Sequence, residues 1–316
     1  MSGLKLVSTG AAVPAEVVTN EDLTRRVDTS DAWIVSRTGI RSRRWCGEGE
    51  SHTSLCLAAA RQAMERAGIG PEEIGVCLVA TFTGDRMTPG AATILHGRLG
   101  LREDTVCFDL NAACAGFIYA VHTASRLLPV NGRRYGLVLG AEVLTRVTDF
   151  DDRSTCVLFG DGAGAAVVEW GEDYPDPCTV MGCQARDEVL CVPGIHTGEE
   201  NVIRMDGQAV FRFAVEALPR CVEEVLAKAG VGPEAVGRFV FHQANQRIID
   251  LAVRKLKLPV EKCAGNIDHT GNTSAASIPL LLDELVSAGQ LKQGQRALCV
   301  GFGAWLTWAG ALLELR

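Results

Sequence analysis

What this chain lacks narrows what it can do. It has no run of about eighteen apolar residues, so no membrane-spanning helix is expected. Its start, Met1-Ser2-Gly3-Leu4-Lys5, has no charged region followed by an apolar one, so no secretory leader is expected. The 12 cysteines form no CxxC pair and no Cys/His metal spacing, and most fall in apolar segments (Cys77, Cys107, Cys156, Cys299) as reduced core thiols do. Excess positive charge is also missing. The net charge of −7 argues against nucleic acid as the main partner. What remains is ordinary globular composition, 47% hydrophobic and 22% charged over 316 residues, which suits a cytoplasmic enzyme of one large or two smaller domains.

One stretch organises the rest. In Asn111-Ala112-Ala113-Cys114-Ala115-Gly116-Phe117-Ile118-Tyr119, an apolar strand (Val106 to Leu110) hands over to a helix (Gly116 to about Leu128). Cys114 falls at the junction. The first N–H groups of a helix have no intrahelical partner and carry partial positive charge, which favours a thiolate. Ala112, Ala113, Ala115 and Gly116 leave room for a substrate at the sulfur. A second junction of this kind is Phe239-Val240-Phe241, a strand ending at His242-Gln243-Ala244-Asn245. A third candidate, Asn272, lies in Gly271-Asn272-Thr273-Ser274 ahead of a helix through Val286. A Cys, a His and an Asn that converge could perform acyl transfer. The sulfur would carry the acyl group, and the other two would donate hydrogen bonds to an oxygen gaining charge.

The remaining elements alternate. Strands are expected at Leu4–Val7, Val76–Thr81, Tyr135–Leu144, Arg296–Gly301 and Trp308–Leu315. Helices are expected at Ser54–Ala67, Pro89–Leu99, Ala209–Ala229 and Gln246–Leu256. Val157–Val168 reads as strand, glycine-rich turn and strand. Its Gly160, Gly162 and Gly164 do not run into a helix, so a dinucleotide loop is disfavoured against a close backbone approach. Trp33, near Arg37, Arg41, Arg43 and Arg44, reads equally as core or as a platform for a flat ligand whose phosphates the arginines hold.

The segment Ala67-Gly68-Ile69-Gly70-Pro71-Glu72-Glu73-Ile74-Gly75 returns as Ala229-Gly230-Val231-Gly232-Pro233-Glu234-Ala235-Val236-Gly237, each time between a helix and a buried strand. The reading is an α/β protein of two similar halves, residues 1–170 and 171–316, each a mostly parallel sheet with helices on its faces. Ligands of such sheets bind beyond the carboxyl ends of strands, where Cys114, His242 and Asn272 fall.

Asn111–Phe117, His242–Asn245 with Arg247, Gly271–Ser277, Gly301–Trp308, Trp33–Ile40 and Asp152–Thr155 together resemble the motifs of the β-ketoacyl-[acyl-carrier-protein] synthase III family, over nearly the whole chain and in order. The resemblance implies a thiolase-like fold of duplicated halves, sheets sandwiched by helices in αβαβα layers, and a homodimer. It implies an acyl-CoA primer that acylates Cys114, and a malonyl-[acyl-carrier protein] whose decarboxylation His242 and Asn272 assist, with no metal or redox cofactor. By the same resemblance, the N–H groups of Cys114 and Ala304 form the oxyanion hole. Trp33 and Arg153 flank the CoA adenine, Arg37 meets its phosphates, and Gly207 and Asn245 its pantetheine arm. Arg212, Arg247, Arg254 and Lys255 match the carrier-protein docking patch, though a charge run of this kind also suits a plain solvated helix face. Two departures bear on the acyl pocket. Trp305 stands where glycine is common and would narrow it, and Thr88 stands where acetyl-selective members carry Phe and would widen it. The primer, acetyl-CoA or a longer or branched one, therefore stays open. Alternatives are a secondary-metabolism relative on the same fold and a Cys-His-Asn thioester hydrolase.

Overall fold

The computed structural model describes residues 3–186, 188–194 and 196–316; the Trp305 side chain also lies outside the described part. The chain opens with β1 (Gly3–Ala12), then a hairpin of β2 (Glu16–Thr19) and β3 (Ser42–Trp45) enclosing α1 (Asn20–Leu23) and α2 (Asp31–Thr38). It continues through α3 (His52–Ala67), β4 (Ile74–Ala80), α4 (Ala91–Leu99), β5 (Val106–Leu110), α5 (Gly116–Asn131), β6 (Tyr135–Glu142), α6 (Arg153–Cys156) and β7 (Gly162–Gly171). Next come β8 (Val180–Gly182) and the short pair β9 (Leu190–Cys191) and β10 (Arg204–Met205), then α7 (Gly207–Ala229), β11 (Arg238–Phe241) and α8 (Gln246–Leu256). The chain closes with β12 (Cys263–Ala264), α9 (Ile267–Thr270), α10 (Ser277–Ser287), β13 (Arg296–Gly303) and β14 (Thr307–Leu315).

The duplication is visible in the strand order. One side of the sheet runs β5-β4-β6-β7-β1 and the other β12-β11-β13-β14-β8, with matching parallel and antiparallel pairings at each step. A short parallel contact, Lys5 beside Glu314 and Leu6 beside Leu315, joins them. Alternate residues of each strand serve two cores. Val76, Leu78 and Ala80 of β4 face α5 and α10 in a central core that spans both halves, while Cys77 and Val79 face α3 and α4 outside. Phe239 and Phe241 of β11 face α7 and α8 in the matching outer core. Strands covered on both faces read as continuous apolar runs, which is why these are legible in the sequence. Each fully buried Leu or Phe side chain contributes about 1.5–3 kcal/mol.

The repeated segments fold alike. Gly68 and Gly230 end α3 and α7 in the left-handed conformation (φ 66 and 65), and Pro71 and Pro233 open short 3₁₀ turns before β4 and β11. One element is missed and two expectations are corrected. The hairpin β2–β3 carries no strong apolar alternation and is not anticipated by pattern. Val157–Phe159 is not a strand. It makes one isolated bridge, Phe159 to Asn272, after the short helix α6. Gly162 and Gly164 lie inside β7 rather than in a turn. The close approach is real, however: a side chain on Gly164 would come within 2.7 Å of Leu280 N and Pro279.

Candidate active site

The nucleophile turn is built by crowding. After β5, Ala113–Ala115 forms a 3₁₀ turn that leads into α5. Asn111 Oδ1 accepts from Ala113 N at 3.1 Å, and Ala113 sits at φ 46, a left-handed position. The end of β13 lies directly behind the turn. A Cβ on Gly301 would meet Cys114 O at 2.9 Å, and one on Gly303 would meet Cys114 N at 2.6 Å. Only glycine lets that strand bring Ala304 beside Cys114. Ala304 itself is not in a left-handed conformation, so its methyl costs no backbone strain.

Asn272 stands on a copy of this turn. Its Oδ1 accepts from Ser274 N at 3.0 Å, Ser274 sits at φ 48, and a 3₁₀ turn Ser274–Ala276 leads into α10. Asn111-Ala112-Ala113-Cys114-Ala115-Gly116 and Asn272-Thr273-Ser274-Ala275-Ala276-Ser277 thus correspond residue by residue. The two turns touch: the Cys114 thiol and the Ser274 hydroxyl are 3.3 Å apart. With Oδ1 engaged, the Asn272 side-chain NH₂ makes no hydrogen bond among the described residues and is the group left for a ligand.

His242 ends β11, its N donating to Val300 O at 2.8 Å, with Phe302 edge-on to the ring at 5.3 Å. It is 1% exposed, and its Nδ1 has no partner among the described residues. Burial pushes the imidazole down to about 3, so it is neutral at physiological pH and acts as a hydrogen-bond donor rather than a cation. Burial likewise pushes the Cys114 thiol up to about 12; the Ser274 hydroxyl pulls it down, and Glu142 pushes it up. Burial thus works against the thiolate that a helix start favours, although Cys114 itself is only half-buried and opens on the cavity. Glu142, at the end of β6, is itself raised to about 8 by burial, against hydrogen bonds from Thr83, Phe82 N and Thr81.

Cys114, His242 and Asn272 line one cavity of about 1210 Å³ together with Ala304, Ser274, Phe302 and Gly303. Trp33, Arg37, Gly207, Asn245, Arg212 and Arg247 line it too. Asn245 caps α8 and its Nδ2 donates to Arg37 O at 3.0 Å, tying α2 to the second half. Arg153 and Arg37 both stack on Trp33, their Cζ atoms 4.9 and 5.3 Å from its ring centroid. Arg153 is not among the lining residues, so a flat ring between it and Trp33 requires the arginine to swing outward. Arg254 and Lys255 sit exposed in the last turn of α8, away from the lining. Thr88 is exposed and does not line the cavity, whereas its neighbour Met87 does. Arg43 is not a phosphate ligand, since it is fully buried. Among the described residues, no group of three His, Cys, Asp or Glu side chains is placed to hold a metal ion, and no helix is long and apolar enough to cross a membrane.

Comparison with known proteins agrees with this geometry. Residues 108–183 match the family model for 3-oxoacyl-[acyl-carrier-protein (ACP)] synthase III, and residues 226–315 match the model for its C-terminal part. The β-ketoacyl-[acyl-carrier-protein] synthase III of Gloeobacter violaceus is 43% identical, covering 99% of this chain and 98% of its own. The chain belongs to the 3-oxoacyl-[acyl-carrier-protein] synthase III family. The family member from Clostridium acetobutylicum is 41% identical, with 99% of each chain covered. Among solved structures, the synthase III of Aquifex aeolicus superposes with a TM-score of 0.92 at 42% identity, covering 99% of this chain and 100% of that one. That of Thermus thermophilus gives 0.94 at 41% identity, with 99% of each covered. The fold is thus thiolase-like, with two duplicated α/β halves.

For this synthase III family member, sequence reasoning misses Ser274, Phe302 and the apolar lobe formed by Phe82, Leu144, Phe159, Ile203 and Met205. Ser274 is recoverable: the Asn-x-x-x-Ala pattern shared by residues 111–115 and 272–276 marks it as the counterpart of Ala113. The lobe is not, because its members come from four separate segments.

Proposed function

We infer that this chain catalyses decarboxylative Claisen condensation of an acyl-CoA with malonyl-[acyl-carrier protein], giving 3-oxoacyl-[acyl-carrier protein] and initiating type II fatty-acid synthesis. One observation carries the reading: a thiol, a neutral imidazole and an amide NH₂ from two copies of one fold face the same cavity. Cys114 attacks the acyl thioester. Its proton leaves with the departing CoA thiolate, so the thiol need not ionise beforehand. The N–H groups of Cys114 and Ala304 hold the oxyanion. Malonyl-[acyl-carrier protein] then enters. His242 and the Asn272 NH₂ donate to its thioester carbonyl and stabilise the enolate as CO₂ leaves. The carbanion attacks the acyl-Cys114 carbonyl, and the Cys114 sulfur departs and is reprotonated. The first half, residues 1–170, supplies the nucleophile; the second, 171–316, supplies the donors.

Trp33, Arg37, Arg153, Gly207 and Asn245 receive the CoA arm. Arg212, Arg247, Arg254 and Lys255 receive the acidic carrier protein. Phe82, Leu144 and Phe159 hold the acyl chain, with Trp305 tuning its length; Thr88, outside this cavity, would act on the pocket of a second copy. A homodimer forms across β5. Among the described residues that edge strand pairs only with β4 and leaves Val106 and Phe108 36% and 38% exposed. A reducing, cytoplasmic setting suits the 12 unpaired cysteines.

Mass spectrometry after exposure to a panel of acyl-CoAs tests the first step. A thioester adduct must appear with one preferred chain length and vanish in Cys114→Ala. Loss of malonyl decarboxylation in His242→Ala and Asn272→Ala tests the second, and normal rates in both would refute the role assignment. A polyketide-priming role has one specific support: the priming β-ketosynthase of the R1128 polyketide pathway superposes with a TM-score of 0.93 at 37% identity, covering 99% of this chain and 96% of that one. Primer preference separates the two. A Cys-His hydrolase is disfavoured, because the thiol's partner is Ser274 and no base is hydrogen-bonded to it among the described residues.

A further inference from the structure

Arg43 carries a charge into the interior with no anion to meet it among the described residues. It is fully buried, on β3, and burial lowers its pKa only to about 10, so it stays cationic at neutral pH. An unpaired buried charge is costly and has to be offset by hydrogen bonds. Among the described residues Arg43 has three acceptors: Val18 O at 3.3 Å, Asn20 Oδ1 at 2.8 Å and Val157 O at 2.7 Å. The planar fork bridges two segments, Nη1 to Val18–Asn20 and Nη2 to Val157, a fixed geometry that a lysine does not reproduce, while Nε has no partner among the described residues.

The third acceptor leads to the active site. Val157 opens the irregular segment Val157–Asp161, and that segment holds Asn272 from both sides. Asn272 N donates to Leu158 O at 2.9 Å, and Gly160 N donates to Asn272 O at 3.0 Å. On its other edge the segment is bound by β3: Trp45 Nε1 donates to Phe159 O at 3.2 Å, and Asp161 N donates to Arg44 O at 2.8 Å. The glycines flanking this contact are required mainly by backbone: a Cβ on Gly160 would lie 2.3 Å from Thr270 O and one on Gly271 2.9 Å from Leu158 O, with the Arg43 Cβ next at 3.2 and 3.1 Å.

We propose that Arg43 is a positioning residue that acts through Val157–Gly160 to fix Asn272 against the cavity, so that it governs the Asn272-dependent half-reaction and not acylation of Cys114. The kinetic part rests on the functional reading above; the positional part does not.

Arg43→Lys keeps the charge and loses the fork. Two rates are compared: acylation of Cys114 by acyl-CoA, followed by mass, and decarboxylation of malonyl-[acyl-carrier protein]. Acylation stays within about twofold and decarboxylation falls at least about tenfold, as expected for a misplaced donor. In an Asn272→Ala background the same substitution costs nothing further. A crystal structure of Arg43→Lys shows Asn272 displaced by more than ~0.5 Å with Cys114 in place. Equal losses in both half-reactions, a loss that persists without Asn272, or an unmoved Asn272 would each overturn the proposal. A normal decarboxylation rate in Asn272→Ala alone would instead refute the assigned role of Asn272, and the crystal structure would still decide the positional claim. If Arg43→Lys does not fold, Asn20→Ser removes one acceptor while Arg43 stays, and the same comparisons decide.

Discussion

Gly303→Ala is the sharpest test of the oxyanion geometry. Gly303 has an extended backbone (φ −162), so alanine meets no conformational penalty there, and the whole effect is steric. The new methyl would lie 2.6 Å from Cys114 N and 3.1 Å from both Cys114 Cβ and Ala113 Cβ. Contact distance is about 3.5 Å, so strand and turn must part by roughly 0.9 Å. Catalytic donors tolerate about 0.5 Å. Ala304 follows Gly303 directly, so a displaced strand would carry Ala304 N away from Cys114 N, and the two would no longer reach one oxygen together. Loss of one oxyanion donor costs about 10²–10³ in rate, roughly 3–4 kcal/mol in barrier. Overpacking should cost about 1–3 kcal/mol of stability. The assay is the single-turnover rate of Cys114 acylation by acyl-CoA, set against alkylation of the same thiol by iodoacetamide, which builds no oxyanion. Acylation should fall about 100-fold while alkylation changes far less. Near-normal acylation, or an equal fall in both reactions, would refute the placement of the two N–H groups.

Glu142→Gln should leave activity at pH 7 nearly intact, because burial already keeps this carboxyl largely protonated there. Its folded pKa is raised from 4.5 to about 8, so the native protein binds the extra proton between these values. Stability is then full below about 4.5, declines as pH rises above that value and is lost by about 8, by an amount on the order of several kcal/mol. Thermal melts across this window should show the loss in the wild type and not in the variant; parallel curves would disprove it. His242 has the opposite sign: its folded pKa is depressed to about 3, so its contribution is intact above 6.5 and declines as pH falls below that value. Malonyl decarboxylation should accordingly show no inflection near 6.5, and one that disappears in His242→Gln would show a cationic donor instead. Phe108→Asp on β5 should give a monomer by light scattering, and a wild-type mass would place the dimer interface elsewhere.

Much of this architecture is legible because its strands are covered twice. A strand such as Val76–Ala80 has no polar face to interrupt it, and the helix ends carry glycines in the left-handed region. His242 can be found because it follows such a strand directly, Cys114 because it stands between an apolar strand and a helix, and Asn272 because its Gly/Ser/Thr-rich loop precedes a helix. Arg43 misleads for the converse reason. Its neighbours Arg37, Arg41 and Arg44 suggest a solvent-facing cluster, and the acceptors that bury it lie at Val18, Asn20 and Val157, invisible to local pattern. Val157–Phe159 resembles a strand because it is apolar, but its single bridge partner, Asn272, is far along the chain. The resting state of Cys114 is also hidden. A helix start favours the thiolate while burial opposes it, and burial cannot be read from the flanking alanines.

The paired turns at Cys114 and Asn272 have a consequence for how such a site can change. One backbone solution, used twice, faces itself across a shared void. Side chains can then diverge in one copy while the other keeps its own, a thiol on the first and an amide hydrogen-bond donor on the second. Variation in what the enzyme does needs no new loop, only a different residue mounted on a bend that the chain already makes.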